Sequence, residues 1–136
     1  MKEVVDFLRD GKVLYLATSG MDGTPKVRPF GFMREEQGKL YFCTSNRKKV
    51  FEEMRKQPSV EFCCMGEGAR WMRLHGKAVF DGDAALKARV LDSNEMVKSI
   101  YKSGDNPIFE VFHLADAEAV IADFSGNPPK TIPLRG

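Results

Sequence analysis

Residues 25–49 read PKVRPFGFMREEQGKLYFCTSNRKK, and no other stretch limits the possible folds so tightly. Residues 27–33 are apolar and extended, with Pro25 and Pro29 opposing helix. Residues 35–38 (Glu-Glu-Gln-Gly) supply a polar turn, and residues 39–44 form a second, aromatic strand, so the spacing predicts a hairpin. Ser45 and Asn46 stand at the N-cap position of a helix with apolar period Val50, Phe51 and Met54, ended by Pro58. Arg47, Lys48 and Lys49 then fill the first turn, where free N–H groups and the macrodipole favour anions. Cations gathered there, with Arg28 reaching in from the preceding strand, make a cradle for a phosphate. Taken singly, each of these side chains is better explained as a solvated surface charge; taken together with Arg28, they favour the phosphate.

The 136 residues suffice for one domain, 1–136, with a real hydrophobic core. A composition of 43% hydrophobic and 29% charged residues is that of an ordinary globular protein, and a net charge of +2 argues against a dedicated nucleic-acid or membrane binder. No apolar run reaches membrane-spanning length, and MKEVVDFLRDG reads as an amphipathic helix rather than a signal peptide. Three cysteines, two of them the neighbours Cys63 and Cys64, make no disulfide framework; reduced thiols in a cytoplasmic protein are expected.

In chain order, Val4, Val5, Phe7 and Leu8 form one face of a helix closed by Gly11. Residues 12–18 (KVLYLAT) are a strand, buried on both sides or facing a barrel interior, and Ser19–Gly23 is turn chemistry joining it to the Pro25 strand. Residues 59–65 are a strand; residues 70–80 are a long one, in which Gly76 predicts a bulge or a close backbone approach. Helices are predicted over 84–91 and 94–103, then two strands over 107–115 and 118–123. The tail with Pro128, Pro129 and Pro133 is extended and excluded from a central strand. Short antiparallel strands with a few helices give an α+β fold, most economically a small barrel with helices outside.

Several of these pieces, in this order, carry a family resemblance: GKVLYLAT, DGTPKVRPFGF, LYFCTSNRKKVFEEMRKQPSVEF, RWMRLHGKAVF, SGDNPIFEVFHL and DFSG. The sequence resembles the pyridoxamine 5′-phosphate oxidase-like FMN-binding split barrels, particularly their short nitroimidazole-reductase-like branch. The resemblance implies an antiparallel split β-barrel with peripheral helices, and a homodimer holding FMN in clefts between subunits. By position it implies that Arg28 binds the FMN phosphate, that Pro29, Phe30 and Gly31 run beside the flavin ring, and that Cys43 and Thr44 line the ribityl and flavin. Lys48, with Lys49 sharing or replacing it, matches the phosphate lysine, and Trp71 falls where a flavin contact from the other subunit is placed. The vitamin B6 oxidase itself carries glutamine at the Trp71 position and a further carboxy-terminal segment beyond the point where this sequence ends, so vitamin B6 oxidation is not expected.

The residues themselves support the ligand class without fixing its identity. Phe30, Phe32, Tyr41 and Phe42 suit the flanks of a flat ring and suit a strand core equally. Trp71, between Arg70 and Arg73, reads as an interface residue or a cofactor wall. His75 and His113 lack metal-ligand spacing, so no metal is expected, although a haem-binding relative of the fold could use one as axial ligand. The cysteines show no activating partner, and the acidic pairs Glu35/Glu36 and Glu52/Glu53 read as solvated. The sequence therefore predicts an FMN-dependent oxidoreductase passing electrons from a reduced donor such as a nicotinamide to a small-molecule acceptor. No side chain is assigned as catalytic. The alternatives are a flavin- or haem-binding protein without turnover, and a single-strand nucleic-acid binder disfavoured by the near-neutral charge.

Overall fold

The computed structural model describes residues 1–11 and 13–134. α1 (Lys2–Asp10) buries Val4, Val5, Phe7 and Leu8 and is closed by Gly11, as their spacing predicts. Each such side chain contributes about 1.5–3 kcal/mol on burial, enough to hold a nine-residue helix that would be marginal alone. β1 (Leu14–Ser19) starts later than the predicted strand, whose first residue, Lys12, lies outside the described residues. Leu14 and Leu16 are buried while Tyr15 and Ala17 face out, so this strand has one barrel-facing side and not two.

β2 (Pro25–Phe30) pairs antiparallel with β1, as expected, but stops three residues short of Met33. A separate short strand, β3 (Arg34–Glu36), pairs instead with β4 (Lys39–Ser45) across a tight turn in which Gln37 and Gly38 both take positive φ. The predicted hairpin between the Pro25 strand and β4 is thus replaced by two hairpins joined by Gly31, Phe32 and Met33. β2 and β4 are not paired; the sheet order is β2-β1-β5 (Ser59–Met65)-β6 (Trp71–Asp81)-β7 (Phe109–Ala122)-β4-β3.

α2 (Lys49–Lys56) also begins later than predicted: Lys48 is its N-cap, and Arg47 lies before the helix. Ser45 does not cap; it holds the preceding turn, its Oγ accepting from Arg47 N at 3.2 Å and its carbonyl from Lys48 N at 3.1 Å. β5 (Ser59–Met65) leads through a short turn to β6 (Trp71–Asp81), where the register shifts between His75 and Lys77. Gly76 sits at that bulge against the Ala115 carbonyl, which a Cβ would approach to 2.9 Å, so both readings of this glycine hold.

α3 (Ala84–Asp92) and α4 (Glu95–Tyr101) are capped by Asp83 and Asn94, whose side chains accept from Leu86 N at 2.9 Å and Val97 N at 3.0 Å. The two predicted C-terminal strands are one, β7 (Phe109–Ala122), kinked at Asp116 with φ 51° rather than broken. Its first half pairs with β4 and its second with β8 (Lys130–Pro133), an edge strand that tolerates Pro133 at its end. Among the described residues, eight antiparallel strands and four α-helices make this α+β split barrel. Phe42 stands at the centre of the core, fully buried and stacked on Phe62 at 4.2 Å and Phe112 at 5.5 Å.

Candidate functional site

The linker between the two hairpins shapes the site. Released from β2 and held at its far end by Met33 N donating to Tyr41 O at 3.1 Å, residues 31–33 join β4 on the side where β3 pairs. The turn after β4 is pinned by Asn46, whose Nδ2 donates to the Pro107 carbonyl and to Glu110 Oε2, each at 2.8 Å. Together these fix one wall and one end of a cavity of about 680 Å3, lined there by Pro29, Phe30, Gly31, Cys43, Thr44 and Lys48. Six residues predicted from three separate sequence segments therefore meet at one place. A cavity of this size lies within the range of about 300–1,000 Å3 typical of small-molecule and cofactor sites.

Two features of the cavity point to a polar ligand. Thr44 is only 3% exposed, and its Oγ1 has no hydrogen-bond partner. Such an orphan costs about 1–3 kcal/mol unless a ligand or water satisfies it. Lys48 is exposed, has no carboxylate at ion-pair distance among the described residues, and stands at the end of a helix with no side-chain cap. Unpaired N–H groups and an ammonium thus act together on an anion. Cys43 lies beside them with its thiol pushed up to about 12 by burial, against the opposing pull of Lys48. It is a small apolar wall, not a nucleophile. Phe30 and Phe32 line the cavity, whereas Tyr41 and Phe42 belong to the core, so the aromatic quartet divides in two.

The remaining predicted residues lie elsewhere. The Arg28 guanidinium turns from the cavity, donating from Nη1 to the Leu16 carbonyl at 3.2 Å and Thr18 Oγ1 at 2.7 Å, and from Nη2 to Glu53 Oε1 at 2.8 Å. Lys49 is exposed on the first turn of α2 and does not line the cavity, which separates it from Lys48. Trp71 packs on Phe124 with ring centroids 4.8 Å apart and does not reach the cavity within its own chain.

The sequence reading also missed residues. Glu53 is not solvated; it is 4% exposed, accepting from Arg28 and from Thr18 Oγ1 at 2.7 Å. Its signal was its position between Val50 and Met54 on the helix's buried face. Arg9 and Val13, with Met96, Val97 and Ile100 of α4, form the opposite part of the lining. The signal in α4 was an apolar stripe wider than one buried face requires.

Other chemistries find no support. Neither histidine lines the cavity: His113 is buried behind Tyr41, and His75 is an exposed strand residue near Glu61 and Glu118. Among the described residues no group of His, Cys, Asp and Glu could hold a metal ion, and no helix is long and apolar enough to cross a membrane. A second cavity, of about 550 Å3 beside α1, sets the acids Glu3, Asp6, Asp10 and Glu67 against the cations Lys2 and Arg70, a net negative lining that does not suit a phosphate.

Comparison with known proteins agrees with this fold. The family model for pyridoxamine 5′-phosphate oxidase matches residues 1–120. The structure of a NimC/NimA family protein from Clostridium acetobutylicum is similar with a TM-score of 0.89 at 36% identity, covering 98% of this chain and 93% of that one. A protein related to general stress protein 26, also from Clostridium acetobutylicum, has a TM-score of 0.76 at 15% identity, covering 97% and 92%. A pyridoxamine 5′-phosphate oxidase-related, FMN-binding protein from Nostoc punctiforme PCC 73102 has a TM-score of 0.68 at 17% identity, covering 96% and 86%. The last two likenesses speak to the fold alone. No curated protein matches the chain.

Proposed function

The chain belongs to the pyridoxamine 5′-phosphate oxidase family, in its NimC/NimA branch, and from that premise we propose that it is an FMN-binding oxidoreductase. It takes electrons from a reduced donor such as a nicotinamide and passes them to a small-molecule acceptor. The observation that carries this reading is the meeting of Thr44, with its orphaned buried hydroxyl, and Lys48, at an uncapped helix start, on one cavity. That donor set suits a phosphorylated ligand with hydroxyls along its length.

In this reading Lys48 and the free N–H groups of α2 hold the phosphate, and Thr44 Oγ1 bonds a hydroxyl or polar ring edge. Phe30 and Phe32 offer apolar faces to a flat ring. At Gly31 a Cβ would meet nothing within 4 Å, which leaves the linker backbone open to close approach by a ligand. Flavin, when bound, supplies the hydride and electron chemistry. The chain supplies binding, orientation and exclusion of water; the described lining contains no Asp, Glu or His to move a proton.

The proposed assembly is a homodimer. Cross-strand register places Val27, Tyr15, Met65 and Trp71 on one outer face, through the pairs Ala17↔Val27, Tyr15↔Cys63 and Met65↔Trp71. Val27 is 69% exposed, a cost that a partner's matching face would remove. Trp71 then serves the partner's cofactor rather than its own.

The visible spectrum of purified protein, titrated with FMN and then supplied with a reduced nicotinamide and an artificial acceptor, tests the function. Flavin absorbance that bleaches and recovers over many cycles is expected. Protein that neither carries nor takes up FMN overturns the reading, and FMN binding without turnover reduces it to a flavin-binding module. Light scattering of a Val27→Asp variant tests the dimer: a monomer is expected, and an unaltered dimer places the interface elsewhere.

A further inference from the structure

The cavity is longer in chemistry than a cofactor phosphate requires. Its lining includes a second cation, Arg9, and no acid among the described residues. Arg9 is exposed in the last turn of α1 and has no hydrogen-bond or ion-pair partner among the described residues. The helix dipole accounts for a basic residue at that end but not for its placement on the cavity. The wall near it is apolar and bare: Met96 is 70% exposed, Ile100 64% and Val13 45%. Met96 and Ile100 lie one turn apart on α4, whose other side, Tyr101, is already buried in the core. Two exposed apolar residues on a seven-residue helix are costly in water and useful against a ligand. Met96 also adapts its shape to what it meets.

On the reading that FMN occupies the Lys48 end, we propose that the rest of the cavity takes a substrate with an apolar body and a carboxylate, and that Arg9 is the residue that selects the carboxylate. Lys48 is committed to the cofactor phosphate, so among the described lining residues Arg9 is the charge left for a second anion. An apolar body lies along Val13, Met96 and Ile100, and the guanidinium binds the acid group by paired N–H bonds. Neutral analogues lose that bond, and polar or sugar-like acids lose the wall. Dicationic and amine substrates are repelled.

The test is calorimetric titration of FMN-loaded protein with trans-cinnamate and with its neutral analogue trans-cinnamamide. Loading is read first from the flavin spectrum, so failure of the flavin reading is seen before either probe is added. Protein that takes up no FMN leaves Lys48 free for the acid, removes the premise and overturns the proposal with it. Cinnamate is expected to bind about 5- to 10-fold more tightly than the amide. Arg9→Gln should remove that preference, Arg9→Lys should restore part of it, and FMN affinity should stay the same in both. Equal binding of acid and amide by the unmodified protein overturns the proposal, as does a preference that survives Arg9→Gln. If Arg9→Gln weakens FMN but not riboflavin, Arg9 belongs to the cofactor phosphate and the proposal also falls.

Discussion

Arg28 and Glu53 meet at 2.8 Å across the gap between β2 and α2, with the Glu53 side chain 5% exposed and that of Arg28 25%. Thr18 on β1 completes the group, so three elements are joined through one carboxylate oxygen. This contact orients α2, and α2 carries Lys48 at its start. Arg28 therefore acts on the candidate phosphate site through the helix. A carboxylate beside the guanidinium also keeps it from offering its full charge to an anion in the cavity.

Breaking the pair should be costly. Glu53→Gln leaves Arg28 without its counter-charge and should lower stability by about 3 kcal/mol, the lower end of what a one-sided break of a buried pair costs, because Arg28 is partly wet. Arg28→Ala should cost at least as much, since it strands the more deeply buried Glu53. Urea denaturation of both variants measures this. Losses below about 0.5 kcal/mol would mean the pair is no anchor.

Much of this was legible in the sequence because it depends on local rules. The α1 face, the Gly76 bulge, the helices α3 and α4 and β5 follow from period and turn chemistry, which act within a few residues. What was not legible depends on distant partners. Nothing near Phe30 says that β2 ends there, because its neighbour is β1 and the next strand pairs elsewhere. Residues 116–117 look like a break between strands, yet pairing with β6 on both sides of the kink carries β7 through. Lys48 and Thr44 could be picked out as chemistry-bearing residues. The pairing of Arg28 with Glu53 could not, since the two lie 25 residues apart on elements whose packing no local rule fixes.

The cysteines should be poor nucleophiles. Burial pushes Cys43 up to about 12 and Cys64 to about 11, and Cys63 is raised less, being half-exposed. At pH about 8 a thiol near 12 holds roughly 1,000-fold less thiolate than one near 9. In the Val27→Asp monomer iodoacetamide should therefore label Cys63 first, and reach Cys43 and Cys64 only on unfolding. Rapid labelling of Cys43 in native protein would show a cavity far wetter than this structure.

Acid should weaken the fold through His113. Burial first, and Lys39 second, lower its pKa from the ordinary 6.5, with Asp81 opposing. Its Nδ1 is buried without a partner. The unfolded chain therefore takes up the proton before the folded one, and stability present above the unfolded pKa is lost as pH falls from about 6.5 toward the folded value. The urea midpoint should drop between pH about 7.5 and about 5.5, and His113→Gln should flatten that drop. An equal slope in the variant would assign the effect to other groups.

The sharpest division lies among the cations first grouped as one cradle. Lys48 is on the cavity, Lys49 is beside it facing solvent, and Arg28 is held by Glu53. Their variants should separate when each is titrated with FMN and with riboflavin, which keeps the ring and lacks the phosphate. A bond to a charged group is worth about 1.5–3 kcal/mol, so Lys48→Ala should weaken FMN roughly 10- to 150-fold. Riboflavin affinity should barely move, because the ring contacts Phe30 and Phe32 are untouched. Lys49→Ala acts only through screened charge and should weaken FMN by less than about fivefold, an effect that added salt removes. Arg28→Ala should weaken both ligands alike, because it loosens α2 rather than removing a phosphate contact. A loss confined to FMN in Arg28→Ala would show that the guanidinium leaves Glu53 when the phosphate arrives. Equal losses of FMN and riboflavin in Lys48→Ala would remove the phosphate from this end of the cavity altogether.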